Sequence, residues 1–372
     1  MTNNAPAPGE IVGYMDDGTA IRQARPDPEE IVPGSDVLGL FSLQTAGADS
    51  LSKTEFPKLR QPVEGLIPEG CTLLCGAPKM GKSWLSLGMC CAVATGSSFL
   101  GRKTDQCTVL YLDLEEGPRL VHERIKALDV CLSDNLRICS SAPGVDDGLF
   151  VLLDRWMEEN PDTGLIVIDT FQLVRGAGSA RDGVYKQDYN ALFPFKQFAD
   201  KHHIALVLVH HQNKRTLVDD PLDRVSGSSG MSGAVDQVLT LSRKRGEADA
   251  TLFCASRIIR GGESTIRFNN GRWTAIGPDV LRRERYDSDP LVKACRALLS
   301  TCMGRSVERT FGDFKEYAAQ MAGTAVAGTE REISNKLHDL ELDLMEFDGI
   351  QIEFRPRVTG SNGKRSGGFR LH

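Results

Sequence analysis

Residues 76–83 read Gly-Ala-Pro-Lys-Met-Gly-Lys-Ser and fit the pattern G-x-x-x-x-G-K-[ST]. The short apolar run at residues 71–75 predicts a buried strand before them, and the apolar stretch at residues 84–95 predicts a helix after them. Glycines in such a turn let backbone N–H groups face a phosphate chain at the start of the helix. A Gly-rich turn that binds nothing is the alternative, but the strand and helix on either side favour a phosphate-binding loop.

The pattern also gives a role to its last residues. Lys82 reaches the β- and γ-phosphates of a nucleotide, and the Ser83 hydroxyl holds Mg²⁺. ATP and Mg²⁺ are therefore the predicted cofactors. The residues predicted to bind the nucleotide are Gly76, Ala77, Pro78, Lys79, Met80, Gly81, Lys82, Ser83 and Trp84.

The composition is that of a globular protein and excludes some classes of function. The chain has 372 residues and a net charge of −6, so contact with nucleic acid must be local rather than that of a general polycation. Neither a run of about 18 apolar residues nor a basic, apolar leader is found, which predicts a cytoplasmic protein with no membrane partner. The ten cysteines show no C-x-x-C spacing, which favours small buried residues over disulfides or zinc sites.

Strands and helices alternate in the central region and predict an α/β domain at residues 61–277, with a mixed, mostly parallel sheet. Near-continuous apolar runs such as residues 165–168 are typical of buried parallel strands. The predicted strands are residues 108–112, 136–139, 165–168 and 204–209, and the predicted helices are residues 118–128, 148–159 and 189–202. Strands at residues 238–242, 251–256 and 265–268 have hairpin-like spacing and predict an antiparallel extension of the sheet.

The two ends of the chain differ from this core. Residues 1–60 are rich in Pro, Gly, Asp and Glu and predict an extended arm that packs on a neighbouring subunit, or else plain disorder. The charged residues 278–290 predict a linker. Residues 291–372 predict a winged-helix-like domain, with helices at 291–301, 309–321 and 329–344 and strands at 350–354 and 368–371.

A carboxylate follows one of the buried strands, where a phosphate-bound metal needs a ligand. Asp169 comes directly after Leu-Ile-Val-Ile, as in a Walker B motif, and is predicted to hold Mg²⁺ through water together with Ser83. In ordinary AAA+ proteins a catalytic glutamate follows this aspartate, but here Thr170 does. Glu115, just after the strand at 108–112, is the predicted catalytic base; Glu116 is its rival, and a solvated turn is the alternative.

Two histidines end the next predicted strand. Either His210 or His211 is able to hydrogen-bond a γ-phosphate or the attacking water and so to report the state of the nucleotide. A histidine at a strand end is often only structural, but a tandem pair followed by Lys214 favours a catalytic role. With Lys82 and Glu115 they form the predicted catalytic set.

Together these motifs resemble the RecA-like P-loop ATPases, and within them the RepA-like hexameric replicative helicases of plasmids and phages. The resemblance rests on the sequences at 76–83, 112–116 (Leu-Asp-Leu-Glu-Glu), 165–169, 210–214 (His-His-Gln-Asn-Lys) and 226–236. It covers roughly residues 60–275. It implies a RecA-like core, a homo-oligomeric ring, a hexamer, with ATP between subunits, and single-stranded DNA in the ring centre.

The resemblance also implies an arginine that reaches the γ-phosphate held by a neighbouring subunit. Arg257 and Arg260, after the predicted strand at 251–256, are the candidates and are counted in the catalytic set. Arg224 is the runner-up, and solvated surface arginines are the alternative.

Two loops are candidates for DNA contact. Residues 176–186 and 214–230 are rich in Gly and Ser and follow the strands that carry Asp169 and the histidines. Their cations suit phosphate contacts without sequence readout, and Tyr185 is placed to stack on a base. The candidate DNA-binding residues are Arg181, Lys186, Lys214 and Arg215; loops that contact only neighbouring subunits are the alternative.

A second basic segment lies at residues 355–370, which contain five cations and no acid. After three helices, such a hairpin suits single-stranded or duplex DNA, and its candidate contacts are Arg355, Arg357, Lys364 and Arg365. The helix before it is acidic, which leaves protein docking open.

The sequence therefore predicts an ATPase that is a DNA helicase or translocase, acting in replication of a plasmid, phage or integrated element and hydrolysing ATP at the subunit interfaces of a ring. The alternative is an ATP-switched DNA-binding or recombination and replication assembly factor without unwinding activity. A small-molecule kinase is disfavoured, because neither a lid nor an acceptor pocket is recognisable.

Overall fold

The structure, a computed structural model, describes residues 11–14, 20–22, 47–176, 183–211, 230–302, 306–322, 328–359 and 365–372. It divides into two compact units, Met1–Lys58 and Leu59–His372. In the first unit, strands β1 (Ile11–Tyr14) and β2 (Ala20–Arg22) pair in antiparallel fashion. A short helix, α1 (Ala48–Lys53), follows them.

The second unit begins with a large sheet whose strands alternate with helices. In chain order its elements are β3 (Gly70–Gly76), α2 (Lys82–Thr95), β4 (Thr108–Asp113), α3 (Pro118–Leu128), β5 (Leu136–Cys139), α4 (Leu149–Glu159), β6 (Thr163–Asp169), α5 (Phe171–Val174), α6 (Val184–His202), β7 (Ala205–His211), α7 (Gly230–Ala234), β8 (Gln237–Arg243), β9 (Asp249–Ser256), β10 (Gly262–Asn269) and β11 (Arg272–Ala275). The strand order is β11-β10-β9-β8-β3-β7-β6-β4-β5. Strands β8, β3, β7, β6, β4 and β5 run parallel, whereas β9, β10 and β11 extend the sheet in antiparallel fashion. This confirms the predicted RecA-like α/β fold with a mixed, mostly parallel sheet.

Apolar layers cover both faces of the sheet, because successive side chains of a strand point to opposite faces. On β6, Leu165 and Val167 join the layer that contains residues of α2, whereas Ile166 and Ile168 join the layer that contains residues of α4 and α6. All four side chains are 0% exposed. Burying one such side chain stabilises the fold by about 1.5–3 kcal/mol, so the strand that ends in Asp169 is held firmly from both sides.

Two elements of the core differ from the sequence prediction. Strand β11 is absent from that prediction, although Asn270 and Gly271 have φ angles of 46° and 83°, which suit a tight hairpin turn between β10 and β11. Helix α6 begins at Val184 rather than at residue 189. Both additions place aromatic residues near the carboxyl ends of the parallel strands.

The rest of the second unit combines four helices with a small sheet. Its elements are α8 (Pro278–Ser288), α9 (Pro290–Thr301), β12 (Val307–Thr310), α10 (Phe311–Ala322), α11 (Glu330–Asp348), β13 (Ile352–Thr359) and β14 (Arg365–Leu371). Strand β14 pairs in antiparallel fashion with both β12 and β13. The helix predicted from residue 309 begins at Phe311 instead, because the residues before it pair with β14, with Val307 opposite Leu371.

Residues 278–290, predicted as a linker, contain helix α8 and the start of α9. Tyr286 is 2% exposed and belongs to the apolar core formed by α9, α10, α11 and the small sheet. Arg282 forms ion pairs with Asp343 and Glu346 of α11. The charges that resemble those of a solvated linker are thus paired across two helices. The domain boundaries remain predictions.

No helix in the described part of the chain is both long enough and apolar enough to cross a membrane. Within the same ranges, no three or more His, Cys, Asp or Glu side chains are grouped so as to hold a metal ion. The cysteines are free thiols, and burial raises the pKa of Cys91 to about 11.

Candidate active site

Four parallel strands bring their carboxyl ends to one edge of the sheet. Strand β3 ends at Gly76 opposite His211 of β7, and β4 ends at Asp113 opposite Asp169 of β6. Strands β7 and β6 are neighbours, so these ends form one continuous edge. The predicted phosphate loop, Walker B aspartate and tandem histidines therefore lie side by side, which their positions in the sequence do not show.

The loop between β3 and α2 adopts a conformation that few residues tolerate. Lys79 and Gly81 have φ angles of 64° and 94°, in the left-handed region that favours glycine. A Cβ on Gly81 would stand 2.9 Å from the Trp273 ring of β11, whose Nε1 donates a hydrogen bond of 3.1 Å to the Gly81 carbonyl. Helix α2 starts directly afterwards at Lys82, so the turn presents the helix N-terminus, a ready site for an anion.

Lys82 joins this loop to the far side of the site. The side chain is buried, and its Nζ donates to the Gly76 carbonyl at 2.8 Å and lies 3.0 Å from His211 Nδ1. His211 Nε2 lies 3.1 Å from a carboxylate oxygen of Glu115. Since Lys82 has only protons to offer, His211 Nδ1 accepts and Nε2 donates to Glu115. A continuous hydrogen-bonded chain thus links Lys82 to Glu115.

Burial shapes the electrostatics of the metal end of the site. It lowers the pKa of Lys82, while the Asp169 carboxylate opposes this shift. Burial also raises the pKa of Asp169, and the neighbouring Ser83 and Tyr111 hydroxyls act in the opposite direction. Because a charge in a buried site needs a partner, Lys82 and Asp169 each favour the charged form of the other.

Asp169 has the properties of a ligand for a metal-bound water. One oxygen, Oδ2, accepts a hydrogen bond of 3.1 Å from the Tyr111 hydroxyl. The other, Oδ1, is buried and has no hydrogen-bond partner among the described residues. An orphaned carboxylate oxygen beside Ser83 fits the hard-oxygen preference of Mg²⁺.

The two adjacent glutamates have different surroundings. The Glu116 side chain is 23% exposed and pairs with Arg124, which in turn lies over the Trp84 ring at 5.2 Å. The Glu115 side chain is 51% exposed and faces His211. Of the two, Glu115 is accessible to water and connected to the loop, whereas Glu116 is engaged in packing against α2.

The tandem histidines point in opposite directions, as successive residues of a strand must. His210 lies on the other face of β7, with its ring centroid 6.1 Å from that of Phe171. Burial, with the Arg175 and His211 charges as smaller causes, lowers the pKa of His210 to about 4. The ring is therefore neutral near pH 7 and outside the hydrogen-bonded chain that contains His211.

Several neighbours of the site are missing from the sequence prediction. Tyr111 and Asp113 end β4 beside Asp169; both are buried, and Asp113 accepts a hydrogen bond of 3.1 Å from the Glu116 N–H. On the loop side, the Arg243 guanidinium lies 5.5 Å from the Trp273 ring centroid. The polar end of the apolar run at residues 108–113 is a signal that points to the first pair.

The arginine candidates lie far from this edge. Arg257 follows β9, whose last residue, Ser256, pairs with Gln237 at the start of β8. Gln237 pairs with Thr72 near the start of β3, so Arg257 lies at the opposite edge of the sheet from the loop after Gly76. Arg257 and Arg260 are both exposed.

The candidate DNA contacts are described in part. Arg181, Lys214, Arg215 and Lys364, and with them the runner-up finger Arg224, lie outside the described residues. Lys186 is exposed in the first turn of α6, and Arg355 pairs with Glu353 at 3.0 Å. Arg357 and Arg365 belong to strands β13 and β14.

A phosphate-binding loop beside an acidic strand end, in a sheet of this order, defines the class of P-loop ATPases. Comparison with known families agrees at that level, because residues 40–216 match a family model described as an AAA domain. The matched residues include every strand end that forms the site. The chain thus carries a P-loop ATPase domain.

Comparisons with individual proteins add likenesses of fold. No curated protein sequence matches the chain. A solved structure of an isolated ATPase domain aligns with a TM-score of 0.46 and 17% identity, over 56% of this chain and 85% of that chain. A DnaB-like replicative helicase, described with its interactions with primase, gives 0.46 and 15% over 56% of this chain and 58% of that chain. A KaiC-like protein from Pyrococcus horikoshii OT3 gives 0.41 and 14% over 58% and 94%.

Proposed function

We propose that this protein is an ATP-dependent DNA helicase or translocase of the RepA-like type, which hydrolyses ATP at the subunit interfaces of a hexameric ring. It would act in the replication of a plasmid, phage or integrated element. The observation that carries the proposal is the hydrogen-bonded chain from Lys82 through His211 to Glu115, beside Ser83 and Asp169. It couples the residue that meets the phosphates to the residue that meets water.

The residues present fit ATP and Mg²⁺. Lys82 and the backbone N–H groups of residues 76–83 would hold the phosphates, and Ser83 with Asp169 Oδ1 would hold the metal through water. When bound, Mg²⁺ offsets the charge of the phosphates during transfer to water. Tyr111 fixes the second Asp169 oxygen, which leaves Oδ1 in a defined direction.

Glu115 is the proposed catalytic base. Its half-exposed carboxylate accepts a proton from water, and His211 orients it through Nε2. His211 also contacts Lys82, so a change in the position of the Lys82 ammonium reaches Glu115 through one ring. His211 is thus the proposed sensor of the γ-phosphate, and His210 has a packing role.

Assembly into a ring is supported by the arginines that lie away from the loop. Arg257 and Arg260 are at the opposite edge of the sheet from residues 76–83 of the same chain. An arginine there serves as a finger only for a neighbouring subunit, and a head-to-tail interface that closes makes a ring.

The C-terminal part is proposed to be a winged helix that contacts DNA. Helices α9, α10 and α11, with the sheet order β12-β14-β13, have the arrangement of that module. Arg355, Arg357, Lys364 and Arg365 in and beside the hairpin supply its phosphate contacts. On α11, Leu342 and Met345 are 78% and 50% exposed, so a protein partner is the result to expect if DNA does not bind.

Steady-state ATP hydrolysis, with and without single-stranded DNA, tests the proposal. Lys82→Ala should abolish hydrolysis, while Lys103→Ala, which removes an exposed lysine outside the site, should keep it and its stimulation by DNA. A forked-duplex unwinding assay follows. Hydrolysis that depends on Lys82 but ignores DNA would favour the ATP-switched assembly factor. DNA-stimulated hydrolysis that never separates strands would exclude the helicase but leave a translocase.

A further inference from the structure

Three aromatic rings form a stacked row along one side of helix α6. Tyr185, Tyr189 and Phe193 follow each other at intervals of four residues, which places them on one helix face. The ring centroids of Tyr185 and Tyr189 are 6.5 Å apart with 16° between their planes. Those of Tyr189 and Phe193 are 5.6 Å apart with 19° between planes. We call these three residues the aromatic row.

The aromatic row is not part of the protein core. Tyr185 is 53% exposed and Phe193 is 37% exposed, with Tyr189 half-buried between them. The other aromatic residues of this helix, Phe195 and Phe198, are 0% and 4% exposed and pack beneath the sheet. Large rings that remain in water next to a well-filled core suggest a surface that binds something.

The charge on this face selects the kind of partner. The exposed residues of the first turns of α6 are Val184, Tyr185, Lys186, Asn190, Phe193 and Gln197, which include a cation and two amides but no carboxylate. Asp188, in the same stretch, is buried and pairs with Arg175 at 2.8 Å. Rings, amides and a cation without acids suit a polyanion whose bases stack, and do not suit a basic peptide.

The position of the row adds a second, independent reason. Tyr185 lies against α7: the Tyr185 carbonyl leaves no room for a side chain on Gly230, and the Tyr185 hydroxyl is 3.5 Å from where a Cβ of Gly233 would stand. Gly183 and Gly230 are the described residues that end the two cation-bearing loop segments after β6 and β7. The row therefore starts where both segments rejoin the core.

We infer that the aromatic row is a stacking track for the unpaired bases of single-stranded DNA, extending the path from the two loops along α6. The inference rests on the proposed function, since it supplies that motor with a base-contacting surface. The rings need no base identity, because every base has a π-face. The backbone would be held by the loops and by Lys186, and the bases by the row.

The test compares binding of a labelled oligothymidylate and of an abasic oligonucleotide of equal length, by fluorescence anisotropy with a non-hydrolysable ATP analogue. Tyr185→Ala combined with Phe193→Ala should weaken oligothymidylate binding about tenfold or more, since each base–ring stack has a substantial effect on affinity. Binding of the abasic probe should not change. The salt dependence should also stay the same, because no phosphate contact is lost.

Two controls make the result specific. Tyr185→Phe combined with Phe193→Tyr keeps both rings and should restore binding. Val151→Ala combined with Leu152→Ala removes apolar side chains of α4 that are 64% and 53% exposed, and should have no effect. Circular dichroism and the mass of the assembly in solution are measured for each variant.

Each remaining outcome argues against the inference. An equal loss on both probes, or no loss on either, would mean that the rings do not stack on bases. Dissociation of the assembly, with subunits that still bind oligothymidylate normally, would identify the row as a contact between protein subunits. If the unmodified protein bound neither probe, the proposed DNA motor would fail as well, and that result is distinguishable from failure of the row alone.

Discussion

Two neighbouring glutamates at the end of β4 show how surroundings separate residues of one type. Glu116 is drawn into an ion pair with Arg124, and Glu115 extends toward His211. A carboxylate that already balances a largely buried cation is costly to remove, because the cation would be left unpaired. A half-exposed carboxylate near a phosphate site is instead free to exchange protons with water.

We expect Glu115→Gln to slow ATP hydrolysis by about 10²–10⁴-fold while ATP still binds, because the amide cannot take a proton from water. Glu116→Gln should change the rate less and lower the melting temperature, because Arg124 loses its partner. Single-turnover hydrolysis, nucleotide binding and thermal unfolding measured on both variants check this. Equal rates for Glu115→Gln and the unmodified protein would exclude Glu115 as the base.

His210 illustrates a second effect at the residue scale. Its Nδ1 is buried without a hydrogen-bond partner among the described residues, and burial lowers its pKa from 6.5 to about 4. Between these two pH values the unfolded chain binds a proton that folded His210 does not. Stability must therefore fall as the pH falls through this window.

The expected size of this loss is about 2–3 kcal/mol on going from pH 7.5 to pH 4. His210→Gln cannot titrate and should show a flatter acid limb. Urea unfolding at several pH values, compared between the two proteins, isolates the histidine from other titrating groups. Parallel curves for the two proteins would show that His210 is not the titrating group.

At the scale of elements, helix α8 shows how a charged sequence becomes part of a packed domain. Its arginines pair with α11: Arg282 with Asp343, and Arg283 with Asp348 at 3.6 Å. Exposed ion pairs of this kind contribute little, about 0–1 kcal/mol each. The buried Tyr286 ring, whose hydroxyl donates to Asp348 at 2.6 Å, is the main anchor.

We therefore expect Tyr286→Ala to destabilise the C-terminal part by about 3–5 kcal/mol, through loss of a buried ring. Tyr286→Phe should cost only about 1 kcal/mol, since the ring remains and one hydrogen bond is lost. Hydrogen exchange of α9 and α11, together with chemical unfolding, measures both. Unchanged protection in Tyr286→Ala would mean that α8 is a linker after all.

Sequence patterns predicted the elements unevenly, for reasons that the structure makes clear. The runs that became β4 and β6 were recognisable because they are buried on both faces. Strand β12 has only four residues, Val-Glu-Arg-Thr, and β14 holds it in place. No local pattern in so short a polar segment distinguishes it from the start of a helix. The Asn-Gly turn before β11, by contrast, was a usable hairpin signal.

At the scale of the whole molecule, the site is half of a proposed pair. Arg257 is too far round the sheet to serve its own loop, so a finger role requires a second subunit. The prediction is then about mixtures rather than single variants. Arg257→Ala and Lys82→Ala should each be inactive alone, for different reasons.

Mixed rings should regain activity, because an intact loop of an Arg257→Ala subunit then meets the intact finger of a Lys82→Ala neighbour. Random mixing in equal amounts should restore about a quarter of the interfaces. Hydrolysis measured across mixing ratios checks this. Full activity of Arg257→Ala alone would exclude that residue, and the same test would pass to Arg260.

The sequence by itself determined the chemistry of the loop and the class of fold. Gly76, Gly81, Lys82 and Ser83 are fixed by spacing, and apolar runs ending in polar residues imply a buried parallel sheet with its site at the carboxyl edge. These are local properties, readable within a few residues. Glu115 was predicted from the same strand-end pattern, with Glu116 left as an equal in type.

Only the tertiary structure decided which of two neighbours faces the site. The pleat sends His211 toward Lys82 and His210 toward Phe171, and the chain turns Glu116 toward Arg124. The aromatic row likewise depends on where α6 begins and on which side packs against the core. Such choices depend on contacts between residues far apart in the chain, and local sequence patterns do not contain them.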